Sequence, residues 1–151
     1  MKLKKLFWFT APFFAGMLFS CSDTHKNPLA ETYVNFEINL NFPQYKDLNA
    51  PGGYAYLSGG YGGIFVYNFN GATFYAYDRA CPDNLNDTPL IFDEKDKCLH
   101  HSDTINNCNS RYSVLFHGAV SYGTAKLSLQ EYSTVYSSNS GTLKIINNNI
   151  Y

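Results

Sequence analysis

Short apolar runs separated by glycine, proline and asparagine are the feature that most constrains how this chain folds. The clearest run, residues 32–42, alternates strictly between apolar and polar side chains, the pattern of a β-strand with one buried face. Its apolar positions are Val34, Phe36, Ile38, Leu40 and Phe42. Two further runs, 64–69 and 72–77, flank Asn70-Gly71, a strong signal for a tight hairpin turn. These patterns, together with 13 Tyr and 12 Phe that favour pleated surfaces, predict an all-β fold.

The remaining strands are shorter and surround one irregular segment. They are predicted at 54–57, 112–116, 134–136 and 142–146. Residues 79–113 contain only one strand-like run, Pro89–Phe92, and hold three of the four cysteines of the chain. An irregular segment of this length in a small β domain is more often functional than incidental. We therefore predict an antiparallel β-sandwich or small barrel with a loop-rich tip at 79–113.

The first 21 residues have a different character from the rest. Three lysines precede the apolar run Leu6–Phe19, which is too short for a membrane-spanning helix of about 20 residues and is typical of a signal peptide. The run ends in Ser20-Cys21, a small residue before a cysteine, as in a bacterial lipobox. We expect removal of residues 1–20 and lipidation of Cys21. Residues 21–31 then form a flexible spacer and 32–151 form the domain.

This prediction places the protein in the bacterial cell envelope, on the periplasmic face or the cell surface, with a lipid as its membrane anchor. The whole chain has 11 basic and 12 acidic residues, and loss of the three signal lysines leaves eight against twelve. No basic patch is evident, so a nucleic-acid partner is not expected. The expected partners are the membrane, through the lipid, and an envelope protein of unknown identity. The oligomeric state is left open.

The glycine cluster Gly59-Gly60-Tyr61-Gly62-Gly63 does not have the features of a phosphate-binding loop. It lacks the Lys-Ser/Thr pair of a P-loop, and no predicted helix follows it. We interpret it as a bulge or a close approach between backbones.

Three segments together resemble the Rieske-type iron–sulfur domain: Tyr77–Pro82, Asn109–Tyr112 and Gly123–Leu129. In that family a first loop carries C-x-H, a second carries C-x-x-H-G-S-x-[FY], and a third, G-P-A-P-x-x-L, covers the cluster. The resemblance spans about residues 34–147. It is greatest to a Bacteroidetes-type group of short lipoproteins of gut-dwelling bacteria. It implies a Rieske-like antiparallel β-fold with Gly123, Ala125 and Leu127 in the cover loop.

The resemblance also allows each cluster ligand to be checked. A Rieske centre needs two thiolates and two imidazoles. In the first loop Cys81 matches a thiolate, but Asp83 stands where an imidazole is required. In the second loop, matching Ser110 and Tyr112 to the family's Ser and aromatic residue leaves Ile105 at the thiolate position and Cys108 at the imidazole position.

A second alignment takes Cys108 as the thiolate and puts Arg111 at the imidazole position, where a permanently protonated guanidinium cannot ligate. We favour the first alignment. Because at least two ligands are wrong in either alignment, the resemblance implies a domain that has lost its [2Fe–2S] cluster. Lys4-Lys5, without an Arg pair, also indicates export of an unfolded chain by the general secretory route, before a cluster could be inserted.

Without a cluster, the cysteines of the tip could serve either in a disulfide or in a different metal site. Because the two loops meet at the tip of the Rieske fold, the resemblance implies a Cys81–Cys108 disulfide, with pairings through Cys98 as the alternative. A rearranged metal site could instead use Cys81, Cys98, His100 and Cys108, although this spacing matches no standard zinc finger. We interpret His100 and His101 as solvated side chains of a polar loop.

The predicted function is a non-enzymatic interaction or structural role, with no cofactor. The alternative is electron transfer by a [2Fe–2S] cluster or another metal bound at the tip loops.

Overall fold

The structure is a computed structural model that describes residues 27–29, 32–102 and 109–147. The predicted signal peptide, Cys21 and most of the spacer lie outside the described residues, as does Cys108. The strands are β1 Asn35–Asn39, β2 Tyr54–Leu57, β3 Ile64–Asn68, β4 Phe74–Asp78, β5 Ile91–Asp93, β6 Cys98–His100, β7 Arg111–Ser113, β8 Val120–Tyr122, β9 Glu131–Ser137 and β10 Thr142–Ile146. A 3₁₀ helix, Pro43–Asn49, lies between β1 and β2.

Six strands form the larger sheet, in the antiparallel order β1-β10-β9-β4-β3-β2. The sheet curls into a half-barrel whose interior holds one hydrophobic core. The two predicted hairpins are confirmed, since β3 pairs with β4 across Asn70-Gly71 and β9 pairs with β10. Gly71 has a φ of +89°, which a residue without Cβ adopts at little cost.

Strand β3 is buried on both faces because a second core packs on the outside of the half-barrel. Ile64 and Val66 contribute to the first core, whereas Phe65 and Tyr67 contribute to the second. All five residues of β3 are buried, which explains why this run is continuously apolar and aromatic instead of alternating.

The second core is closed by a smaller antiparallel sheet, β5-β6-β7-β8, inserted between β4 and β9. The expectation of a single strand in residues 79–113 was therefore wrong, because β6 lies there beside β5, and β7, predicted at 112–116, begins at Arg111. Each has only three residues, too few for an alternation that could be recognised in the sequence. Leu99 and Tyr112 face the core, and their neighbours in sequence occupy the opposite face of this sheet.

The structure departs from the predicted strand 32–42 near its end, because β1 stops at Asn39. Phe42, predicted on the buried face, is 54% exposed because it caps the 3₁₀ helix that Pro43 begins. This helix places Leu48 in the first core, and Asn68 Nδ2 donates a 2.8 Å hydrogen bond to the Leu48 carbonyl.

The glycine cluster wraps around the carboxylate of Asp78. Backbone N–H groups of Tyr61 and Gly62 donate to its two oxygens at 2.6 and 2.9 Å, and the N–H of Ala80 donates at 2.8 Å. A Cβ at Gly62 would lie 2.6 Å from the Ala80 nitrogen. The interpretation as a close backbone approach is confirmed, and the anion in this loop is the protein's own buried side chain.

These elements confirm the predicted all-β class: two antiparallel sheets, the smaller of them inserted in the chain between β4 and β9 of the larger. Within the described residues, no helix has the length and apolar character needed to cross a membrane.

Candidate functional site

The candidate site is the tip, where three segments meet. They are the first loop around Cys81, the residues at the start of β7, and the connection from β8 to β9 that contains Gly123 and Ala125. The part of the second loop between 103 and 108 lies outside the described residues.

Cys81 lies at the inner side of the tip. It is buried in the second core, and its Sγ lies 3.3 Å from the hydroxyl of Tyr112. The first loop turns sharply after it, since the N–H of Asn84 donates to the Cys81 carbonyl at 3.1 Å. Burial of the polar Tyr112 hydroxyl requires such a partner.

The β8–β9 connection is hydrogen-bonded to both loops. The backbone N–H of Ala125 donates to Ser110 Oγ at 3.0 Å, and that of Lys126 donates to Asp83 Oδ2 at 3.0 Å. Gly123, with a φ of +101°, lies so close to Ser110 that a Cβ would come within 2.5 Å of its Cα. The structure therefore brings together Asp83, Ser110 and the segment 123–126. Leu127, the other cover-loop residue, is half-buried.

Arg111 lies on the other face of the small sheet from Tyr112. Its Nη1 is 2.6 Å from Asp96 Oδ2 and 3.4 Å from Asp93 Oδ2. The guanidinium is therefore directed away from Cys81.

The structure does not bring Cys81 and Cys98 together. The Cys98 thiol is on the outer face, 3.3 Å from the Asp96 carbonyl oxygen and 3.4 Å from Ser121 Oγ, whereas Cys81 faces the core. No group of three or more His, Cys, Asp or Glu side chains that could hold a metal occurs among the described residues. Cys108 lies outside them, so its pairing with Cys81 stays a prediction.

The interpretation of His101 as solvated was wrong. Its side chain is only 1% exposed, and Nε2 lies 3.4 Å from Asp87 Oδ2, which comes from the end of the first loop. The β5–β6 hairpin brings these two residues together, and sequence spacing gave no signal of it. Within the described residues, both His101 ring nitrogens and Asp87 Oδ2 make no hydrogen bond. His100 is half-buried, and its Nδ1 lies 2.6 Å from the His101 carbonyl oxygen.

Among the described residues of the tip, the side chains do not fit a [2Fe–2S] cluster of the Rieske type. A Rieske centre requires imidazole nitrogens on one iron. The first loop presents the Asp83 carboxylate at that position, already hydrogen-bonded to Lys126. His100 and His101 are turned to other partners.

No protein-family model and no curated protein matches this chain. Among solved structures, it is similar to the ferredoxin of carbazole 1,9a-dioxygenase from Nocardioides aromaticivorans IC177, with 16% sequence identity and a TM-score of 0.48. The match covers 76% of this chain and 97% of that chain. A likeness of this size transfers neither a cofactor nor an activity to this chain.

Proposed function

We propose that this chain is a lipid-anchored protein of the bacterial cell envelope whose Rieske-like domain has lost its cluster and acts as a non-enzymatic interaction module. The observation that carries the proposal is the Asp83–Lys126 hydrogen bond of 3.0 Å. Asp83 stands where the family has an imidazole ligand, and through this bond its side chain holds the first loop to the segment 123–126. A carboxylate does not supply the imidazole nitrogen that the second iron of a Rieske centre needs.

Bonds between protein groups take over the role that a metal centre has in holding the loops. Ser110 and Asp83 each accept one backbone N–H from the segment 123–126. We add a Cys81–Cys108 disulfide to this set. It would close a loop of 28 residues and, in the chain-entropy model, stabilise the fold by about 3.6 kcal/mol.

Exposed aromatic side chains favour an interaction role. Among the residues that the structure describes, those exposed by more than half are Tyr33, Phe42, Tyr61, Phe116 and Tyr122. Tyrosine offers a large contact area at a small cost in side-chain entropy and is enriched at protein interfaces. The expected partner is another envelope protein.

The cluster is tested by chemical analysis of the full chain purified without oxygen. We expect a colourless protein without stoichiometric iron or acid-labile sulfide, and without an electron paramagnetic resonance signal after reduction. A brown protein with stoichiometric iron and sulfide, whose colour is lost in a Cys81→Ser variant, would overturn the proposal in favour of electron transfer. A Cys98→Ser variant is the matched control.

The anchor is tested by fractionating cells that express the full chain. The protein should be found with membranes and be released by detergent, whereas a Cys21→Ser variant should be soluble or retain its signal peptide. Recovery of both proteins in the soluble fraction would contradict lipid anchoring.

A further inference from the structure

The outer face of the small sheet contains a groove that the tip chemistry does not use. It has a volume of about 650 Å³, within the range of about 300–1,000 Å³ typical of small-molecule sites. Its lining is Asp96, Cys98, Asn109, Arg111, Ser121 and Tyr122. Polar side chains of several kinds therefore surround one large aromatic ring.

Arg111 is held in a fixed orientation, and some of its N–H donors make no hydrogen bond to the described residues. Nη1 is engaged by Asp96 at 2.6 Å and by Asp93 at 3.4 Å, and the side chain is 36% exposed. A guanidinium carries five N–H donors in one plane. Within the described residues, its Nε and Nη2 make no hydrogen bond, so this edge of the fork is open to a ligand that accepts two hydrogen bonds side by side.

The charges around the groove disfavour an ionic ligand of either sign. The single positive charge of Arg111 faces the two carboxylates of Asp93 and Asp96. Hydrogen bonds from the backbone N–H of Lys95, and then of Asp96, lower the pKa of Asp93, which keeps its carboxylate ionised. An anion would be repelled by the two carboxylates, and a cation would be repelled by the guanidinium.

Tyr122 supplies the apolar part of the groove. It lies directly opposite Arg111 in the β7–β8 pairing and is 61% exposed. Ser121 Oγ donates a 3.0 Å hydrogen bond to the Arg111 carbonyl and lies against the Cys98 thiol, so this side of the groove is fixed. An aromatic face beside fixed planar donors and acceptors suits a neutral molecule with one C–H face and adjacent hydroxyl groups.

We propose that this groove binds a neutral saccharide, with its C–H face on Tyr122 and neighbouring hydroxyl groups on the free edge of Arg111 and on Asp96. The inference goes beyond the proposed interaction role and does not depend on the state of the cysteines at the tip.

The test is isothermal titration of the full chain, in a detergent without a sugar headgroup, with glucose, galactose, mannose, N-acetylglucosamine and cellobiose. At least one should bind saturably. Tyr122→Ala should weaken its binding about tenfold or more, as expected when a central aromatic contact is truncated. Arg111→Lys, which keeps the charge but loses the planar fork, should also weaken binding. Tyr61→Ala, another exposed tyrosine, is the matched control and should bind as the unchanged protein does.

Three results would overturn the inference. The first is no saturable binding of any of these sugars up to about 50 mM, well above the millimolar affinities of weak ligands. The second is equal binding by the Tyr122→Ala and Tyr61→Ala variants. The third is tighter binding of glucuronate or glucosamine than of the neutral sugars. A brown, iron-loaded protein that still binds sugar would contradict only the proposed function.

Discussion

Tyr132 Oη donates a 2.7 Å hydrogen bond to Asp78 Oδ2, and both side chains are buried inside the larger sheet. The same carboxylate accepts three backbone N–H groups, two of them from the glycine cluster. Burial, and then the hydrogen bond to Asp78, raises the pKa of the Tyr132 hydroxyl. This pair therefore fixes the loop between β2 and β3 to the end of β4.

Asp78→Asn should destabilise the domain strongly. An amide presents only one acceptor oxygen, so donors that now share two carboxylate oxygens lose their partner, and the amide N–H₂ opposes them. We expect a loss of about 3 kcal/mol or more in the free energy of unfolding, measured by urea denaturation. Asp47→Asn, at an exposed carboxylate whose side chain makes no hydrogen bond to the described residues, should change stability by less than about 0.5 kcal/mol. Equal effects of the two variants would contradict the assigned role of Asp78.

Tyr132→Phe should have an effect that depends on pH. Near pH 7 it removes a hydrogen bond to a charged group, with an expected loss of about 2 kcal/mol. Because the raised pKa keeps the folded hydroxyl protonated while the unfolded one ionises near pH 10, stability from Tyr132 is full below about pH 10 and is lost at higher pH. Urea unfolding of both proteins should therefore show a difference that shrinks above about pH 10. A difference that stays constant or grows would count against a buried, protonated tyrosine.

Each loop should protect one backbone amide of the segment 123–126. In hydrogen exchange followed by NMR, Asp83→Ala should deprotect the amide of Lys126, and Ser110→Ala that of Ala125, because each variant removes one acceptor. The two variants serve as controls for each other, with losses of about 1 kcal/mol each in global stability. Unchanged protection of both amides would refute the closure of the tip by these bonds.

Gly123→Ala should lower the free energy of unfolding more than Gly52→Ala does. Both glycines have positive φ, of +101° and +85°, so an alanine is strained at either position. Only at Gly123 does the new Cβ meet other atoms, the backbone and hydroxyl of Ser110, whereas none lies within 4 Å at Gly52. We expect the free energy of unfolding, measured by thermal denaturation, to fall by about 1 kcal/mol in Gly52→Ala and by about 2 kcal/mol more in Gly123→Ala. Similar melting temperatures would mean that segment 123–126 does not lie against Ser110.

Local patterns were sufficient to predict the strands of the larger sheet and its two hairpins, because apolar runs and the Asn70-Gly71 turn are encoded within a few residues. The small sheet was not predicted, although runs overlapping β5 and β7 were, since β6 and β8 have only three residues each and lack a readable period. The burial of His101 against Asp87 and of Asp78 in the glycine cluster depends on contacts made only after folding, which no spacing rule anticipates.

Closure of the tip by protein groups instead of a metal centre is tested most directly at the cysteines. The full chain is denatured with an alkylating agent and a chelator but no reductant, then digested and analysed by mass spectrometry. We predict a linked Cys81–Cys108 peptide with both residues unmodified and Cys98 alkylated, the thiol of Cys98 serving as the internal control. Alkylation of both Cys81 and Cys108, as expected of thiolates released from a metal, would contradict the account.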